Sequence, residues 1–265
     1  MKNIDNFDSS EGAVKDDLQF IEPDWPAPAG VKAVTSTRVG GVSEQPYTSF
    51  NLALHVGDNL HHVQENRAHL ARALAFDRQP FWLQQVHSNT CIPFKFDAGE
   101  PVADASFSDN TGEILAVMTA DCLPILFCDL RGNWIAACHA GWRGLLNGVI
   151  ENTLACYPGK ATELMAWIGP AISQNQFEVG AEVRADFVNL DPKQQNFFEA
   201  NENQRYQFDL IGLAKHKLEE KGVAVYDGQH CTFSQDSLFY SYRRDGETGR
   251  MASLIWIEKA MQHKQ

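Results

Sequence analysis

Three apolar runs crowd the middle of the chain: residues 113–119 (EILAVMT), 124–128 (PILFC) and 133–138 (NWIAAC), separated only by turn-forming residues. Runs of four to eight apolar residues bounded by turn signals mark strands buried on both faces, and such strands need other layers packed over them. The sequence therefore predicts a multi-stranded sheet mixed with helices, an α/β (α+β) chain. Further strands are expected at 31–38 (VKAVTSTR), 81–86 (FWLQQV), 164–168 (LMAWI) and 252–257 (ASLIWI). Helical spacing of apolar residues predicts helices over 62–76, 143–157, 178–189 and 209–221, the last capped by Asp209 and stopped by Gly222.

Residues 1–20 are acidic and without period, which predicts a disordered extension, and residues 21–265 read as one domain because no repeat, linker or low-complexity tract interrupts them. With 44% hydrophobic residues that domain can bury a core. Twenty-two Lys and Arg against 34 Asp and Glu give a net charge of −12, which disfavours nucleic acid as a partner, since phosphate backbones are bound by clustered cations. No apolar stretch approaches the roughly 18 residues of a membrane helix, so no membrane association is expected. Six sparse cysteines and the absence of an apolar N-terminal segment point to a reducing compartment, the cytoplasm. The assembly is expected to be a monomer or a small homo-oligomer.

Chemistry concentrates at three strand ends. Residues 119–124 (TADCLP) put Cys122 at a bend before a proline. Residues 138–144 (CHAGWRG) end a strand in His139 and turn through Gly141 into a helix, and FWLQQV delivers His87. Two histidines and a thiolate are three ligands of a tetrahedral site whose fourth position stays open, the pattern of catalytic zinc; the same set suits a mononuclear copper, so donor type leaves the metal open. Cys91, Cys128, Cys138, Cys156 and Cys231 receive no role, and His61, His62, His69, His216 and His263 read as solvated.

Arginines beside glycines form a second set. Arg38 precedes Gly40–Gly41, Arg143 follows His139, and Arg243, Arg244 and Arg250 share one loop, all suited to an oxyanion or to the many carboxylates. Phe50, Trp142, Phe177, Phe239, Tyr240 and Tyr242 lie beside these residues and could stack a flat heterocycle or fill the core.

Taken in order, Ser36–Gly41 (STRVGG), Asn51–Leu52 with residues 55–58 (HVGD), 85–87 (QVH), 119–124 (TADCLP), 139–144 (HAGWRG), 168–170 (IGP), 177–180 (FEVG) and 239–252 (FYSYRRDGETGRMA) resemble the YfiH-type family. That family has carried the labels polyphenol oxidase or laccase, purine nucleoside phosphorylase, and peptidoglycan editing factor. The resemblance implies a four-layer α/β/β/α fold with mixed β-sheets and a metal on His87, Cys122 and His139. It also implies phosphorolysis of adenosine, guanosine, inosine and S-methyl-5′-thioadenosine, with adenosine deamination. Purine nucleoside and phosphate are then the partners. Relatives commonly carry a cysteine after Gly-Pro, where this chain has Ser173–Gln176 (SQNQ).

Within that reading zinc is the expected cofactor, with copper the other option, and its bound water would be the reagent for deamination. Arg38 and Arg143 are assigned the phosphate, Asn51 and Arg244 further substrate contacts, and His55 proton transfer. Two alternatives stand beside it. One is a peptidoglycan editing hydrolase in which Cys122 and His139 act as nucleophile and base. The other is a mononuclear copper polyphenol oxidase, because nine histidines without a His-x-His pair are too few for a multicopper cluster.

Overall fold

The computed structural model describes residues 18–97, 99–202 and 204–258. In chain order the strands are β1 (Phe20–Ile21), β2 (Val31–Ser36), β3 (Cys91–Pro93), β4 (Ala105–Ser108), β5 (Ile114–Thr119), β6 (Leu123–Asp129), β7 (Ile135–Ala140), β8 (Leu164–Ile168), β9 (Glu178–Val179), β10 (Phe198–Ala200), β11 (Tyr206–Phe208), β12 (Ala224–Asp227) and β13 (Met251–Ile257). The helices are α1 (Leu60–Ala73), α2 (Trp142–Leu146), α3 (Val149–Ala155), α4 (Ala181–Leu190), α5 (Leu210–Glu220) and α6 (Tyr242–Asp245).

Two large sheets stack face to face. One is antiparallel throughout, in the order β1-β2-β13-β5; the other runs β12-β8-β6-β7-β4-β3, parallel at its two outer pairs and antiparallel within. Alternation along each strand explains why the apolar runs are continuous. On β6, Leu126 and Cys128 point into the seam between the sheets, meeting Leu115 and Val117 of β5, while Leu123, Ile125 and Phe127 point to the opposite face. That face is covered by Val149 and Ile150 of α3, Val183 and Phe187 of α4, and Leu213 and Leu218 of α5. The outer face of the four-stranded sheet carries Ile114, Ala116, Met118 and Leu254 against Phe50, Leu52, Trp82 and Leu70 of α1. The result is the expected α/β/β/α stack, with a small β10-β11-β9 sheet beside the helical layer.

Several elements differ from the sequence expectation. Residues 81–86 make single bridges at Phe81 and Gln84 rather than a strand, because the Gln85 side chain takes over the pairing: its amide donates to the Met118 carbonyl and accepts from the Met118 N–H, each at 2.7 Å. The helix expected over 143–157 is split into α2 and α3 at Gly148, whose φ of 86° no helix contains. The segment expected as helix from 178 opens with β9. Of the predicted extension, residues 1–17 lie outside the described residues, and Phe20 already pairs with Ser36, so ordered structure begins before residue 21.

Candidate metal centre

The three strand ends converge. His139 closes β7, Cys122 sits in the turn between β5 and β6, and His87 ends the bridged segment, so that one ligand atom from each lies within 4.8 Å of the others. Cys122 Sγ and His87 Nε2 are 3.8 Å apart, and the two imidazole rings meet edge to face at 4.9 Å between centroids. The backbone is unusual at both loops: His87 has φ 60° and Asp121 φ 90°, left-handed conformations that non-glycine residues rarely adopt and that cluster at functional sites. Gly141 leaves the room, since a Cβ there would stand 2.8 Å from both Cys122 Sγ and His87 Cδ2.

Asp104, fully buried just before β4, organises the trio and was not marked by any motif. Its carboxylate accepts from the backbone N–H of Val86, His87 and Ser88, from the Ser88 hydroxyl, and from His139 Nδ1 at 2.8 Å. The bond to Nδ1 leaves Nε2 of His139 as the free ligand atom, the arrangement by which carboxylates orient metal-binding histidines. Burial works against the Asp104 charge, but His139 and Ser88 outweigh it and hold the carboxyl down at about 2. Burial likewise pushes the Cys122 thiol up, yet the His139 charge and hydrogen bonds from both histidines bring it down to about 6. Burial opposes the His139 charge too, and Cys122 and Asp104 together raise it to about 9. A soft thiolate and two imidazoles at this spacing fit one tetrahedral metal ion, needing only small contraction toward bonds of about 2.0–2.3 Å.

The trio lines the floor of a cavity of about 450 Å³ whose walls carry His55, Arg143, Arg243 and Arg250 and the rings of Trp142, Phe177 and Tyr242. Burial first, then the Arg250 charge, lowers the His55 imidazole from its ordinary value. Arg243 is aimed by its neighbours: its N–H donates to Asp121 Oδ2, its guanidinium to the Glu178 carbonyl at 2.8 Å, and it lies over the Phe177 ring. Arg250 donates to the Thr248 and Gly249 carbonyls.

Of the other expected substrate residues, three lie outside this cavity lining. Arg38 is spent on the carbonyls of Thr48 and Asp236 and lies over Tyr240. Arg244 pairs with Asp245 and with the carbonyls of Thr232, Phe233 and Phe239. Asn51 is fully buried and works from behind the wall, accepting from the Arg250 N–H and bridging Ala53 and Asp58 beside His55. Phe50, Phe239 and Tyr240 are core, and so is His69, 5% exposed, which was expected in solvent; His263 lies outside the described residues. Arg243 and Arg250 line the cavity together with Arg143, whereas Arg38 and Arg244 do not.

Residues 32–258 match the family described as multi-copper polyphenol oxidoreductase laccase. The chain is 47% identical over 244 residues to a protein of Escherichia coli strain K12 named purine nucleoside phosphorylase YfiH, covering 90% of this chain and 99% of that one. The chain belongs to the YfiH-type family. A Haemophilus influenzae member of it, also named purine nucleoside phosphorylase, is 43% identical and is covered completely, with 91% of this chain aligned. The crystal structure of a Neisseria meningitidis protein superposes with a TM-score of 0.87 at 46% identity, over 91% of this chain and 99% of that one. Among the described residues of this YfiH-type chain, His87, Cys122 and His139 are the one group of three such donors close enough to share an ion, which suits a single metal rather than a multicopper cluster.

Proposed function

We propose that the protein is a purine nucleoside phosphorylase that acts on adenosine, guanosine, inosine and S-methyl-5′-thioadenosine, deaminates adenosine in the same cavity, and holds one zinc ion on His87, Cys122 and His139. The observation that carries this reading is the meeting of a metal-donor trio, three arginines and three aromatic rings in one cavity. Zinc bound there would supply a Lewis acid at the cavity floor. The rest falls to the chain's own residues.

Arg143, Arg243 and Arg250 hold phosphate, and Trp142, Phe177 and Tyr242 hold the purine face. In phosphorolysis a phosphate oxygen bonds to C1′ while the C1′–N9 bond breaks and its electron pair leaves with the purine. With monohydrogen phosphate as nucleophile, the proton it loses is the proton the purine gains. His55, neutral at pH 7 because its pKa is lowered, takes that proton from phosphate and passes it to the base.

Incubation with inosine or adenosine, with and without phosphate, tests the reading: free base and ribose 1-phosphate form only with phosphate, and inosine forms from adenosine without it. No base release in phosphate overturns it. Replacing Arg250 by Met is expected to raise the KM for phosphate about 10–100-fold, the worth of a charged hydrogen bond.

A second reading has its own observation. Cys122, His139 and Asp104 stand in the order of a nucleophile, a base and an orienting carboxylate, as a thiol hydrolase editing peptidoglycan precursors would need. Metal analysis separates the readings: one zinc per chain supports the phosphorylase site, copper favours a polyphenol oxidase, and no metal with a rapidly alkylated Cys122 favours the hydrolase.

A further inference from the structure

Among the described residues that line the cavity, Asp121 is the only carboxylate, in a wall that otherwise carries three arginines. A fixed negative charge repels phosphate, so this position calls for another reason, and the chemistry above gives it none. Both of its oxygens are committed to protein donors. Oδ1 accepts from the hydroxyl of fully buried Thr232, and Oδ2 accepts from the backbone N–H of Arg243, each at 2.7 Å. The Arg243 contact matters because α6 is a single turn whose first N–H groups have no partner within it. The Ser241 side chain accepts from Arg244, and Asp121 reaches across from the turn between β5 and β6 to accept from Arg243.

We propose that Asp121 is a positioning residue for phosphorolysis: by holding the backbone of Arg243 it sets which of two adjacent arginines faces phosphate. The inference rests on the phosphate reading above. The guanidinium end of Arg243 is held separately, by the Glu178 carbonyl and over the Phe177 ring, so the residue is fixed at both ends. Arg244, one residue on, is carried round to Asp245 and to the carbonyls of Thr232, Phe233 and Phe239. Without the Asp121 contact α6 is free to turn, and Arg243 keeps only one of its two fixed points. The role belongs to a hydrogen-bond acceptor, not to a charge or an acid.

Initial rates of inosine phosphorolysis, measured against both phosphate and inosine concentration, test the role. Asp121→Ala is expected to raise the KM for phosphate about tenfold or more and the KM for inosine by less than about threefold. Asp121→Asn restores the parent KM for phosphate, because its amide oxygen accepts from Arg243 while its N–H donates to Thr232, whose hydroxyl turns round to accept. If Asp121→Ala does not fold, Thr232→Val, which unpins one carboxylate oxygen, carries the test with a rise in phosphate KM of about threefold or more. The positioning role alone is overturned by an unchanged phosphate KM in the variant that folds, by Asp121→Asn as impaired as Asp121→Ala, or by phosphate and inosine KM values that rise together. A parent protein that releases no base in phosphate overturns the phosphate reading and the role of Asp121 with it.

Discussion

Asp104 is the residue whose removal should cost the centre most without touching a ligand. Its five hydrogen bonds fix the ring of His139 and the backbone turn that presents His87, so two of the three donors depend on it. An asparagine of the same shape offers an N–H where a carboxylate oxygen accepted, and at least one of the donors loses its partner. Asp104→Asn is expected to weaken zinc binding about 10–100-fold in a competition titration against a chelator. Ser88→Ala, which removes one donor and leaves the His139 contact, should weaken it far less; equal loss in the two would mean that Asp104 serves the loop rather than the histidine. Why Asp104 was illegible is plain from its neighbours. It stands between Ala103 and Ala105 with no motif around it, and only the fold brings it beneath His139. Arg243 and Arg244 pose a related problem. They are adjacent in sequence, and a single helical turn aims one at the cavity and the other at Asp245 and three carbonyls. Nothing in the composition of the loop separates them.

At the scale of elements, the junction of β7 and α2 is where packing constrains chemistry most tightly. Gly141 has φ −67°, which any residue can adopt, so its value lies in the space it leaves. A methyl group at 2.8 Å from Cys122 Sγ and from His87 Cδ2 would drive two ligand side chains apart. Gly141→Ala should therefore fold, with circular dichroism unchanged, and lose metal affinity about 10–100-fold, the usual cost of overpacking expressed as binding. Retained affinity would show that the ligands sit farther from Gly141 than this geometry has them. The strands around this junction were readable because burial on both faces makes them continuous apolar runs, as in β5, β6 and β7. β4 (ASFS) was not, because Ser106 and Ser108 are buried there and polarity hid the strand. Residues 81–86 erred the other way: they are apolar enough for a strand, yet a side-chain amide replaces the ladder.

For the whole molecule, the four layers stack two buried sheets, and the metal trio gathers at strand ends, where loops from both sheets meet. That placement ties folding, metal and protons together. In the metal-free protein Cys122 is lowered from an ordinary value near 9 to about 6, so its contribution to stability is present above 9 and is lost as pH falls through about 6. His139 is raised from 6.5 to about 9, so its contribution is full below 6.5 and is lost as pH rises through about 9. Thiolate and imidazolium coexist between those limits. Metal must then displace the proton from His139, since a protonated imidazole has no lone pair to give, and affinity is expected to rise about tenfold per pH unit across that window. Because a metal that binds only the folded state stabilises it in proportion to the logarithm of its affinity, the gap in Tm between zinc-loaded and chelated protein should widen steadily from pH 6 to 9. Thermal scans at matched free zinc measure that gap. A gap independent of pH would mean that His139 is already neutral before metal arrives, and that Asp104 and Cys122 do not hold its proton.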